Sequence, residues 1–99
     1  MSAPVWTEDA DTSILDLGTV AAPVTITVEQ WPRRPEFWSV TVLVGHGPAP
    51  IGIHRSGHRA PGHPSREVAK ARGLEALSVW LRAVAEGTSA AMGALPDGL

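Results

Sequence analysis

The chain contains no cysteine. Disulfides, zinc–thiolate sites, iron–sulfur clusters and thiol catalysis are therefore excluded, and nothing points to an oxidising compartment. Also missing is any apolar run near the roughly 18 residues that a membrane span requires. The N-terminus, Met-Ser-Ala-Pro-Val-Trp-Thr-Glu-Asp, lacks the basic-then-apolar layout of a signal peptide. A soluble, cytoplasmic protein with no membrane contact is the expectation. Acid is scarce in the middle of the chain: no Asp lies between Asp16 and Asp97, and no acid of either kind between His46 and Glu67. A serine nucleophile needs a base and an orienting acid. Ser56 and Ser65 have histidines nearby but no acid, and no Gly-x-Ser-x-Gly elbow, phosphate loop or dinucleotide fingerprint occurs. The chain therefore reads as non-enzymatic. His46, His54, His58 and His63 share a turn, a strand and a loop, but their spacing fits no standard metal motif and no thiolate or carboxylate accompanies them. Neither a metal nor another cofactor is expected.

Ninety-nine residues suffice for one domain with one modest core, and are too few for a cleft enclosed between two lobes. What the sequence does hold is one long amphipathic helix, about residues 65 to 86. Ser65 is its N-cap, with Pro64 blocking helix upstream. Glu67 and Arg82 complement the dipole at either end, and Gly87 supplies the stop. Ala69, Gly73, Leu77, Trp80 and Val84 recur at steps of three and four, with Leu74 and Leu81 widening the stripe, so one face requires a partner. Glycine inside a helix costs about 1 kcal/mol relative to alanine. Gly73 on the buried stripe therefore implies a strand in close approach.

Strands precede the helix. Val24, Ile26 and Val28 alternate with Thr25, Thr27 and Glu29 over about 24 to 31, and Trp38, Val40, Val42 and Val44 alternate with Ser39, Thr41 and Leu43 over about 37 to 44. Pro32 to Glu36 is the hairpin loop between them. Pairing Trp31 with Phe37 aligns Val28–Val40, Ile26–Val42 and Val24–Val44 on the face the helix covers. A short third strand spans about 50 to 55. The fold class is α+β: a three-stranded antiparallel sheet with one C-terminal helix across one face. Residues 1 to 13 read as a mobile acidic arm, 14 to 87 as the single domain and 88 to 99 as a flexible tail, with 14 to 20 either a strand or a helical turn. The opposite face carries Trp31, Phe37 and Leu43, an apolar patch to be covered by residues 14 to 17 folding back or by self-association as a homodimer.

Charge is uneven. All the bases lie between Arg33 and Arg82, eight against three acids, for a net +5, whereas residues 1 to 30 hold five acids and no base. Arg55, His58, Arg59, Arg66, Lys70 and Arg72 bring cations to a loop and a helix start, suited to phosphate or to an acidic partner. Ser65-Arg66-Glu67-Val68-Ala69-Lys70 resembles the opening of the last helix of double-stranded RNA-binding domains. Ser65, Ala69, Glu75-Ala76-Leu77, Trp80-Leu81 and Glu86-Gly87, after a hairpin and third strand, resemble the N-terminal domain of HicB-type antitoxins over about residues 24 to 87. That resemblance implies a toxin- or partner-binding fold without catalysis. The combined expectation is a binding module that contacts a protein partner, through Trp31, Phe37 and Leu43 or through the basic loop and helix start, with nucleic acid as the alternative.

Overall fold

A computed structural model describes residues 4–17, 23–45 and 48–96. Five strands, β1 (Thr7–Glu8), β2 (Thr12–Asp16), β3 (Val24–Gln30), β4 (Trp38–Val44) and β5 (Ile51–Ser56), precede one helix, α1 (Arg66–Gly93). The strands form one antiparallel meander in chain order, β1 to β5. The sheet thus has five strands where the sequence pattern gave three, with a long C-terminal helix on it as expected.

The β3–β4 register is the one the valines dictate: Val24 faces Val44, Ile26 faces Val42 and Val28 faces Val40. Alternation puts this set on one face, where Ile26, Val28, Val40 and Val42 are fully buried beneath α1 with Ala69 and Leu77. Ser65 caps α1 by accepting from the Val68 amide at 3.1 Å. Gly73 permits the close approach its position implied, because a Cβ there would lie 2.8 Å from both Ile26 Cγ2 and Val40 Cγ2.

Two expectations fail at the ends. The segment expected to be a mobile arm contributes β1 and the start of β2. Leu15 pairs with Ile26 and Ser13 with Val28, so both enter the buried layer rather than folding over Trp31, Phe37 and Leu43. Trp6 and Glu8 meet α1 through charge: Lys70 Nζ lies 5.0 Å from the Trp6 ring centre and pairs with the Glu8 carboxylate. Arg66 donates to the Asp9 and Ala10 carbonyls at 2.8 and 2.6 Å. A strand held by a charged helix needs no apolar alternation, so its period was invisible in the sequence. At the other end α1 passes straight through Gly87 and stops at Gly93, capped by Ala94. A glycine weakens a helix but ends it only where the chain turns into the left-handed region, and nothing approaches Gly87 within 4 Å to force that turn. Residues 81 to 93 consequently stand clear of the sheet, with Val84 48% exposed instead of docked. Among the described residues no helix is long and apolar enough to cross a membrane.

Candidate functional site at the edge of β5

The meander leaves β5 as a terminal strand. β1, the opposite edge, spans two residues, whereas β5 spans six. Alternate backbone N–H and C=O groups of such a strand point away from its neighbour, and among the described residues they have no ladder partner. A register shift between Val42 and Leu43 puts Ile53 in a bulge, with Val42 opposite His54 and Leu43 opposite Gly52. Such a shift bends the strand and re-aims its side chains. Open clefts flank β5. One, of about 570 Å³, is lined by Thr41, Leu43, Gly52 and Arg55; the other, of about 530 Å³ on the helix side, by Arg72, Glu75, Ala76, Val79, Trp80 and Ala83. Ile53 and His54 border both.

At the C-terminal end of β5 the chain builds a polar cluster that spacing alone did not reveal. Ser56 Oγ lies 2.8 Å from His54 Nε2 and 2.8 Å from His63 Nε2. Ser56 faces Val40 and His54 faces Val42, so both point to the helix side. His63 joins them because its backbone bridges Trp38 in both directions at 2.9 Å. Burial pushes the pKa of both imidazoles below the ordinary histidine value, with the Arg72 guanidinium adding to it. His58, though exposed, is lowered by partial desolvation where it lies against the sheet and by Arg55. Among the described residues no carboxylate hydrogen-bonds to the His54 or His63 ring, so the Ser56 hydroxyl has two imidazoles and no oriented base. No three His, Asp or Glu side chains converge for a metal among those residues; His46 lies outside them.

The residues singled out in the sequence separate into two groups. Trp31 and Phe37 stack edge to face at 5.2 Å, with Arg34 5.0 Å from the centre of the Phe37 ring. They are half-buried, covered by the loop after β5: Trp31 Nε1 donates to the Gly57 carbonyl at 2.7 Å, and a Cβ on Gly62 would fall 2.7 Å from Phe37 Cβ. Leu43 is separate and lines the outer cleft. Of the basic set, Arg66 stacks 4.6 Å over Trp38, Lys70 pairs with Glu8 and Glu67, and Arg72 binds Glu75 at 2.9 Å. The Lys70 side chain is only 12% exposed. Arg55, His58 and Arg59 stay exposed or near the outer cleft, and among the described residues neither arginine forms an ion pair. Arg55 faces Thr41, whose hydroxyl lies 3.4 Å from His58 Nε2. Compared with known families, with characterised proteins and with solved structures, the chain matches none. Ile53 and Ser56 were missed as site residues because a bulge and a loop return carry no periodic signature.

Proposed function

We propose that this protein is a non-catalytic binding module that takes an extended, acidic segment of a protein partner along β5. The observation that carries the reading is the unpaired six-residue edge with an open cleft on each face. An added strand gains affinity from main-chain hydrogen bonds, while its alternate side chains enter opposite clefts and supply specificity. Ile53, Ala76, Val79, Trp80 and Ala83 offer an apolar seat on the helix side. On the outer side Arg55 lies in the lining, no acid does, and His58 and Arg59 follow in the chain. A partner strand alternating apolar and acidic residues fits both faces, and the arginines speed its encounter. The bulge and Arg55 are also the devices by which an open edge resists indiscriminate pairing, which keeps the edge available. The likeness to HicB-type antitoxin N-terminal domains is in keeping with a partner-binding, non-catalytic role.

The test is selection of peptides from a random library on the intact protein, followed by affinity measurement against wild type and Arg55→Glu. The reading requires selected sequences that alternate apolar and acidic residues and lose about tenfold or more in affinity with Arg55→Glu. Selection of basic or featureless peptides, or duplex RNA binding with a steep salt dependence where no peptide binds, overturns it.

A further inference from the structure

We infer that residues 57–62 form an acid-released cover over Trp31 and Phe37, latched by the single hydroxyl that His54 and His63 share. The inference stands on the loop's geometry and holds whether or not β5 receives a partner.

The cover is built by two glycines. Gly57 has φ +77°, and a Cβ there would lie 2.5 Å from the Trp38 carbonyl oxygen and 3.1 Å from Ser39 Cα. A Cβ on Gly62 would meet Phe37 Cβ at 2.7 Å and Trp31 Cε2 at 3.1 Å. Only bare backbone fits between the loop and the aromatic pair, and the Trp31 indole N–H closes the contact at Gly57. Ser56 and His63 stand at the loop's two ends, and their side chains meet at 2.8 Å. This contact, with the backbone bridge between Trp38 and His63, ties the loop's return to the sheet.

A hydroxyl has one proton to donate and two acceptor sites. With both imidazoles neutral, Ser56 donates to one Nε2 and accepts from the protonated Nε2 of the other ring. One added proton preserves that pattern. A second leaves two N–H donors facing one oxygen, the hydroxyl proton without an acceptor, and two like charges across a single atom. The closed loop thus accommodates one charge on the pair and rejects two, a coupled titration in which the protons belong to the pair.

The surroundings reinforce this. From α1, Arg72 faces both rings and Glu75 faces His54; from β5, Arg55 faces His58, and from β3, Glu29 does. The three imidazoles also repel one another when charged. Residues 54 to 63 include Arg55 and Arg59 and no acid, so full protonation takes the segment from +2 to +5. In the open loop His58 and His63 return towards the ordinary histidine value of about 6.5, while His54 stays in β5 and is relieved only of the repulsion from His63. Burial, and then the arginines, hold them lower in the closed one. Closure therefore releases protons, is fully favoured above that value, and is lost as pH falls below it through the lowered values.

The test is amide hydrogen exchange on the intact protein at about pH 7 and about pH 5, corrected for intrinsic rate. Protection over residues 57–62 is expected to fall about tenfold or more in acid while the amides of Ile26, Val28, Val40 and Val42 keep theirs. Ser56→Ala should lower loop protection already at neutral pH and shrink the acid step. The triple variant His54→Gln/His58→Gln/His63→Gln, which leaves no imidazole to titrate in the segment, should keep its neutral-pH loop protection in acid and serves alone if Ser56→Ala fails to fold. Equal loop protection at both pH values overturns the inference. So does simultaneous loss over β3 and β4, which is global unfolding, or a full acid step persisting in the titration-free variant.

Discussion

Two glycines of α1 make opposite predictions from the same side chain. Gly73 faces methyl groups of Ile26 and Val40 that a Cβ would crowd, whereas Gly87 has nothing within 4 Å. Gly73→Ala should lower stability by about 1–3 kcal/mol through overpacking, with Gly73→Leu worse. Gly87→Ala should raise it by roughly 0.5–1 kcal/mol by removing a helix-interior glycine. Urea titration of the variants measures both signs. Gly73 was legible because it falls on the apolar stripe at helical spacing. Gly87 was misread because nothing in its own neighbourhood tells a stop from a tolerated interior glycine. Ser56 shows the same limit for the site. Its role comes from the return of His63 alongside Trp38, a non-local contact that chain spacing does not encode.

Elements held by apolar alternation could be read, and those held by charge could not. β3 and β4 were recovered with their register because their valines repeat at period two and their partner is each other. β2 was legible only as a strand or a helical turn over 14 to 20, and β1 escaped because Glu8 answers Lys70 and Arg66 across 62 and 58 residues of chain. The Glu8 carboxyl is held below the usual glutamate range, chiefly by its hydrogen bond from the Lys70 ammonium. A depressed carboxyl pKa contributes stability that is present above the unfolded value and lost as pH falls through the folded one. Glu8→Gln should therefore increase exchange of the β1 and β2 amides at neutral pH with little effect on β3. Raised salt should do the same in wild type, since the pair is exposed to screening. Unchanged β1 exchange in Glu8→Gln would mean that Trp6, the Arg66 bonds to the Asp9 and Ala10 carbonyls and the ladder to β2 hold the strand without the ion pair.

At the scale of the molecule the unexpected feature is shape. The principal extents are 60 × 30 × 27 Å and the Cα radius of gyration is 16.5 Å, against roughly 13 Å for a compact chain of about 100 residues. The excess is the overhang of α1 past Trp80, where every described residue is exposed. Its sequence gave no warning, because Leu81 and Val84 continue the same apolar stripe that Leu77 buries. Small-angle scattering at low concentration should return the elongated form; a compact value would mean that the helix folds back. Cutting the chain after Gly87 should leave the unfolding free energy from urea titration nearly unchanged, within about 0.5 kcal/mol, because the described residues removed are exposed and lie outside the core. The three lowered histidines add a global sign. The unfolded state binds more protons than the folded one just below about pH 6.5, so stability should decline on acidification through that window and level off once the lowered values are passed.

These scales meet at β5, whose free edge is the whole molecule's open end, an element's bulge and a few residues' chemistry at once. The most direct test is amide chemical-shift mapping of the labelled protein titrated with a short peptide that alternates apolar and acidic residues. Saturable shifts over Ile51–Ser56, with lining residues Arg72, Val79 and Trp80 responding and the newly paired edge amides protected from exchange, are the predicted result. Saturable shifts centred on the start of α1 with β5 silent, or no shifts for any such peptide, would contradict it.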